Sequence, residues 1–203
     1  MQPFSSRGKI PKQAGITVHA DGSCWPNPGP GGWACLIERP GAGVLELRGS
    51  ERVTTNNRME LTAAIRGLEA LDGLPGPVTV RSDSEYVVLG IAEGRAARSR
   101  AAGWMKGRKP VKNADLWACL LRLTEERGVR FAHVPGHSGD VWNERCDALA
   151  WAERLFATRP GGLQVTVAER LGWIASGDER AAGAARRLLA RCGVTAPLPA
   201  CAL

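Results

Sequence analysis

Residues 54–71 read TTNNRMELTAAIRGLEAL, and the fold turns on this stretch. From Met59 onward, Leu61, Ala64, Ile65, Leu68 and Leu71 recur at helical spacing, an amphipathic helix that ends at Gly73. Upstream the pattern belongs to strands. Gly15 to Asp21 is a short β-rich run ending on a carboxylate, and Trp33–Glu38 and Val44–Arg48 read as two more. The breakers of residues 22–32 and the turn Pro40–Gly43 separate them, which implies an antiparallel meander. Downstream, strands and helices alternate. Val78–Asp83 is a fourth strand, Ser84–Ala92 a short helix, Asp115–Glu126 another helix, Val129–Val134 a fifth strand and Asn143–Leu155 a last helix. Hairpins first, then strands divided by helices, give an α/β fold: a five-stranded mixed sheet, three antiparallel strands then parallel ones, with flanking helices.

The chain has 203 residues, 44% of them hydrophobic, enough for a core without disulfide or metal staples. No apolar run reaches the ~18 residues of a membrane helix, and the polar start carries no signal-peptide pattern. A cytoplasmic protein with no membrane partner is expected. The six cysteines (24, 35, 119, 146, 192 and 201) show no metal-ligand spacing and read as small buried apolar residues. Three segments are expected: a flexible N-terminal segment 1–13, a main domain 14–152 and a helical C-terminal extension 153–203. In the extension, Thr166-x-x-Glu169 and Ser176-x-x-Glu179 are capping-box patterns for two short helices.

The net charge is +7, unevenly spread. Residues 1–89 are balanced, whereas residues 90–112 carry seven basic side chains against Glu93 alone. Clustered charge of this kind suits a polyanion, although a solvated helix face would show it too. Four acids stand in separated segments: Asp21 and Asp83 at strand ends, Glu60 in the first turn of a helix, and Asp147 in the first half of another. A strand-end Asp taken alone is as easily a turn former, and an acid near a helix N-terminus is favoured by the dipole. Together the four could hold hard cations at one sheet edge. Two Mg²⁺ ions ~3.5–4 Å apart stabilise the attacking and leaving oxygens of a phosphodiester under hydrolysis.

Seven motifs occur in order: 17–24 TVHADGSC, 27–32 NPGPGG, 54–61 TTNNRMEL, 82–84 SDS, 110–117 PVKNADLW, 136–139 GHSG and 143–147 NERCD. Over residues 14–152 the chain resembles a bacterial type 1 ribonuclease H. That resemblance implies the ribonuclease H-like fold and endonucleolytic cleavage of the RNA strand in RNA–DNA hybrids, leaving 5′-phosphate and 3′-hydroxyl ends. The implied cofactor is Mg²⁺, two ions with substrate bound, with Mn²⁺ as a substitute. Asp21, Glu60, Asp83 and Asp147 match the family's metal-binding acids, and His137 its loop histidine for proton transfer or product release. His19 and His133, both within strands, read as structural. Gly22, Ser23, Cys24, Asn27, Asn56, Asn57 and Glu85 match positions that meet the hybrid. Thr55 and Asn113 match a DNA-phosphate pocket. Arg95, Arg98, Arg100, Trp104, Lys106, Arg108, Lys109 and Lys112 form the basic protrusion.

Three positions depart from the family pattern. Glu85 stands where many relatives carry Gln, Val53 where an Arg often lines the phosphate pocket, and Trp104 is the only aromatic of the protrusion. With its charge kept but a single aromatic, the protrusion is expected to give salt-sensitive hybrid binding that is adequate but weaker than in relatives richer in Trp, while the effect of Glu85 and Val53 stays open. Two other readings compete: a hybrid-binding module without catalysis, against which all four acids and His137 stand, and a DNA-acting relative on the same fold, which would lack the TTNNRME run. The extension falls outside the resemblance and leaves three roles open. It could pack on the domain, form a dimer through the Ala184–Leu189 stripe of an otherwise monomeric protein, or add nucleic-acid contacts through Arg180, Arg186, Arg187 and Arg191.

Overall fold

The computed structural model describes residues 15–74 and 76–158. The expectations for the N-terminal segment, the tail helices, Cys192 and Cys201 lie outside the described residues. Strands β1 (Ile16–Cys24), β2 (Gly29–Arg39) and β3 (Ala42–Thr54) form the meander, β1 and β2 paired in register from Thr17↔Glu38 to Cys24↔Gly31, and β2 and β3 paired from Arg39↔Ala42 to Gly29↔Thr54 with register shifts between Ile37 and Arg39 and between Gly29 and Gly31. Strands β4 (Val78–Ser82) and β7 (Arg130–His133) add parallel to β1, giving the order β3-β2-β1-β4-β7. This is the ribonuclease H-like α/β architecture expected from the sequence.

The meander strands are longer than their apolar runs. Residues 22–24 and 29–32, expected in a turn, belong to β1 and β2. Their glycines serve close approach. A Cβ on Gly32 would overlap the Ala150 carbonyl and the Arg154 amide of the last helix, and one on Gly31 would overlap the Thr54 side chain. The turn proper shrinks to residues 25–28, which hold two cis peptide bonds, Trp25–Pro26 and Asn27–Pro28.

Helix α1 (Asn56–Glu69) starts three residues before the expected Met59 because the Thr55 carbonyl already accepts from the amides of Arg58 and Met59. It stops at the Ala70 cap, so Leu71 is buried from the following turn. Helix α2 (Glu85–Ala92) is followed by α3 (Arg95–Ala101) and a two-stranded ribbon, β5 (Met105–Lys106) and β6 (Lys109–Pro110), neither of which the sequence pattern had placed. Helices α4 (Ala114–Arg127) and α5 (Val141–Ala157) complete the domain. Helix α5 crosses residue 152, and Glu153 and Ala157 on it are buried.

The sheet is covered on both faces. Along β2, Cys35 and Ile37 join Val18, Val80, Leu47, Leu61, Leu68 and Leu120 in the main core under α1 and α4. Ala34 and Leu36 point the other way, against Cys146, Leu149 and Ala150 of α5. Cys24, Cys35 and Cys146 are buried and Cys119 half-buried, all free thiols. Among the described residues no helix is long and apolar enough to cross a membrane.

Candidate active site

The pairing of β1 with β4 ends at His19↔Arg81, two residues short of Asp21 and of Asp83. Both strands run parallel, so the two acids emerge at the same carboxyl edge, where the sheet opens. The third acid arrives by close packing. Gly22 follows Asp21, and a Cβ there would overlap the Glu60 amide and the Met59 carbonyl carbon, and would lie 2.8 Å from the Met59 Cβ. The absent side chain lets α1 press against β1 and sets Glu60 over Asp21. Glu60 is the fifth residue of α1, in its second turn rather than the first, since the helix begins at Asn56. Its place owes nothing to capping.

Carboxylate oxygens of Asp21, Glu60 and Asp83 all lie within 4.8 Å of one another. Asp21 is 5% exposed and Glu60 6%. The Gly22 amide donates to Asp21 Oδ1 at 2.7 Å, and Asn56 Nδ2 donates to Glu60 Oε1 at 3.3 Å. The buried Glu60 Oε2 has no hydrogen-bond partner. Burial, then the Asp83 charge, pushes the Asp21 carboxyl from 3.8 up to about 8, with Asp147 adding to the effect and the Gly22 amide opposing it. Glu60 is pushed well above its ordinary value, by burial first and then by Asp21 and Asp83. Asp147 is half-buried on α5, outside the triad but near enough to act on Asp21. Such a crowd of acids with an orphaned oxygen fits a hard divalent cation, which prefers carboxylate oxygens and would lift the mutual repulsion.

Asp83 is held from α5, where Asn143 Nδ2 donates to its Oδ2 at 3.1 Å. The loop 135–139 passes beside it, since a Cβ on Gly136 would sit 3.0 Å from Asp83 Oδ2. His137 is exposed, one residue on, with a left-handed φ of 51°. Of the two strand histidines, His19 is buried against Trp142, with ring centroids 5.5 Å apart, and lies 3.6 Å from Glu38. His133 is exposed at the end of β7, its Nε2 3.2 Å from the Asp83 carbonyl. It therefore borders the site.

The other singled-out residues fall in separate groups. Cys24 donates its amide to Asn56 Oδ1 at 3.1 Å, and Asn56 donates its own to Asn27 Oδ1 at 3.3 Å. The end of β1, the β1–β2 turn and the start of α1 are thus tied together, which gathers Gly22, Ser23, Cys24, Asn27, Asn56 and Asn57. Thr55 and Asn113 precede α1 and α4, whose first turns are joined by a bidentate Arg58–Asp115 pair at 3.1 and 2.9 Å. Asn113 donates to Tyr86 at 3.2 Å. Glu85 and Val53 are exposed. In the protrusion, Arg95 pairs with Glu93 and Arg100 with Glu125, each at 2.6 Å, and Arg98 donates to the Glu93 carbonyl at 2.7 Å. Lys106, Arg108, Lys109 and Lys112 are exposed, and Trp104 is half-buried against the core. The functional contacts missed from sequence are those of Asn143 and His133 with Asp83. The NERCD motif contained the signal for the first, and nothing in the local pattern marked the second.

The RNase H family profile matches residues 13–154. A ribonuclease H of Methylorubrum extorquens is 51% identical over 134 residues, 66% of this chain and 57% of that one. A ribonuclease H of Trichodesmium erythraeum is 46% identical over 140 residues, 68% of this chain and 88% of that one. Among solved structures, that of LC11-RNase H1 in complex with an RNA/DNA hybrid superposes with a TM-score of 0.54 at 28% identity, covering 71% of this chain and 99% of that one.

Proposed function

This chain belongs to the ribonuclease H family, and from that premise we propose that it hydrolyses the RNA strand of RNA–DNA hybrids at the edge where β1, β4 and α1 meet. The observation that carries the reading is the triad of Asp21, Glu60 and Asp83, brought from three separate elements to within 4.8 Å while two of them are buried. Nothing in folding favours that crowding, and a divalent cation relieves it. Asp21, Glu60 and Asp83 would hold Mg²⁺ or Mn²⁺, with Asp147 completing the set once substrate is bound. Two such ions supply charge stabilisation for both oxygens of the displacement and a more acidic water.

The side chains do the rest. By placing the cations, the acids would set where the scissile phosphate comes to rest; water adds to phosphorus as the P–O3′ bond breaks, leaving a 5′-phosphate and a 3′-hydroxyl. His137, on its exposed loop beside Asp83, can carry a proton to or from the reacting oxygens. Hybrid selection rests on the 2′-hydroxyls that only one strand displays in the minor groove. Short groups at the end of β1 and the start of α1, from Gly22 to Asn27 and at Asn56 and Asn57, suit those hydroxyls, and Glu85 can accept from one. Thr55 and Asn113 suit a phosphate of the DNA strand. The exposed cations between Lys106 and Lys112 extend the contact along the backbone.

The test is a panel of end-labelled hybrid, RNA duplex, DNA duplex and single strands, incubated in Mg²⁺ with wild type and with Asp21→Asn. Cutting confined to the RNA of the hybrid, and lost in the variant, is the expected result. Tight hybrid binding without cutting, in Mg²⁺ and in Mn²⁺, would make the chain a binding module instead.

A further inference from the structure

We propose that Arg81 and Asp140 form a strut that positions Asp83 through Asn143, so that Asp140 serves the acid cluster as well as its own helix. The proposal rests on the reading of Asp83 as one of the cation-holding acids. Arg81 lies on β4, two residues ahead of Asp83, and its Nη2 donates to Asp140 Oδ2 at 2.8 Å. The other oxygen of Asp140 caps α5, accepting from the amides of Trp142 and Asn143 at 3.1 Å each. Asn143, 4% exposed, then donates its side-chain amide back to Asp83 at 3.1 Å. The contacts close a ring that leaves β4 at Arg81 and returns to its end at Asp83.

A cap alone does not require this arrangement. Ser, Thr or Asn at position 140 would satisfy the α5 amides equally. Only a carboxylate offers one oxygen to the helix and a second, charged one to the arginine of the neighbouring strand. The strut also fixes the far end of the His137 loop. That loop leaves the sheet where the Val134 amide donates to the Ser82 carbonyl at 3.1 Å, and it rejoins α5 where Gly139 donates to Glu144 at 3.0 Å, beside Asp140. Without the ion pair, the first turn of α5 is free to move against β4. Asn143 then leaves Asp83, and its carboxylate turns out of register with Asp21 and Glu60.

Asp140→Asn separates the two roles, because it keeps a capping oxygen and loses the charge that faces Arg81. In the full chain we would compare Asp140→Asn, Arg81→Met, the double variant, Arg81→Lys and Asn143→Ala. The readouts are kcat and KM on hybrid, Mg²⁺ affinity without substrate by calorimetry, and the urea midpoint in EDTA. A reacting group misplaced by ~1 Å loses ~10²-fold in rate, so a partial shift is expected to cost ~10-fold in kcat for each strut variant and ~10²-fold for Asn143→Ala. KM stays within about twofold and Mg²⁺ binding weakens severalfold. Because the two residues act as one unit, the double variant is no slower than either single one, and Arg81→Lys regains most of the rate. Asp140→Asn and Arg81→Met that shift only the urea midpoint, with kcat and Mg²⁺ affinity unchanged, would overturn the strut. So would losses that multiply in the double variant. A wild type that leaves hybrid uncut, or Asp21→Asn that cuts it normally, would instead overturn the reading of the acids.

Discussion

Replacing Asp21 by Asn should stabilise the cation-free protein at alkaline pH while abolishing cleavage. Asp21 is 5% exposed, and its carboxyl sits at about 8 in the fold against 3.8 in its ordinary state. Between those values the native chain binds a proton that the unfolded chain has released, so stability falls as pH rises through this window. At ~1.36 kcal/mol per unit, the shift sets a ceiling of ~5 kcal/mol on the strain at pH 8. The substituted amide is still a buried polar group, and in wild type Glu60 can hold the proton in place of Asp21, so ~2–3 kcal/mol of relief is expected. The Asn carbonyl keeps the Gly22 amide satisfied, and its NH₂ offers donors to the neighbouring carboxylates. In EDTA at pH 8 the variant should melt ~5–10 °C above wild type. The gap should close as pH approaches about 4, and Mg²⁺ should raise the melting temperature of wild type but not of the variant. Thermal unfolding across pH 4–8, with and without Mg²⁺, reads all of this. A variant no more stable than wild type at pH 8, or a gap that ignores pH, would refute the reasoning.

Three further outcomes follow from the same geometry. Gly22→Ala places a methyl against the Met59–Glu60 backbone and forces α1 away from β1; kcat should fall ~10²-fold by the ~1 Å misplacement rule, and an unchanged kcat would exclude the close approach. Gly32→Ala drives a methyl into the Ala150–Arg154 backbone of α5 and should cost ~1–3 kcal/mol in urea unfolding, the usual penalty of overpacking. Neutralising Lys106 and Lys109 together should weaken hybrid binding and make the slope of log K against log salt shallower by ~2, measured in Ca²⁺ with anisotropy; an unchanged slope would remove the ribbon from the interface.

The sheet was legible because each strand carries its own apolar run and the switch to helical spacing at α1 is abrupt. The edges of the meander were not, since Gly29–Gly32 reads as punctuation until α5 is seen lying on Gly32. Local pattern also misplaced the start of α1: Asn56, Asn57 and Arg58 have no apolar signal, and the helix begins there because Thr55 can cap it through its carbonyl. The α3 helix and the β5–β6 ribbon were hidden by uniform charge, which carries no period. The acids were recognised by motif rather than by spacing, and the structure gathers Asp21, Glu60 and Asp83 while leaving Asp147 at the margin. The contacts of Arg81, Asp140 and Asn143 lie 59 and 60 residues apart in sequence, beyond any local reading.

The most direct measurement is strand-resolved cleavage of one hybrid, its RNA and DNA carrying different labels, by wild type and Asp21→Asn in Mg²⁺ and again in EDTA. Expected are RNA fragments with 3′-hydroxyl ends and intact DNA, produced by wild type in Mg²⁺ alone. Cleavage of the DNA strand, or RNA cleavage that survives either EDTA or the loss of the Asp21 carboxylate, would contradict the assignment of this edge as a cation-dependent hybrid nuclease site.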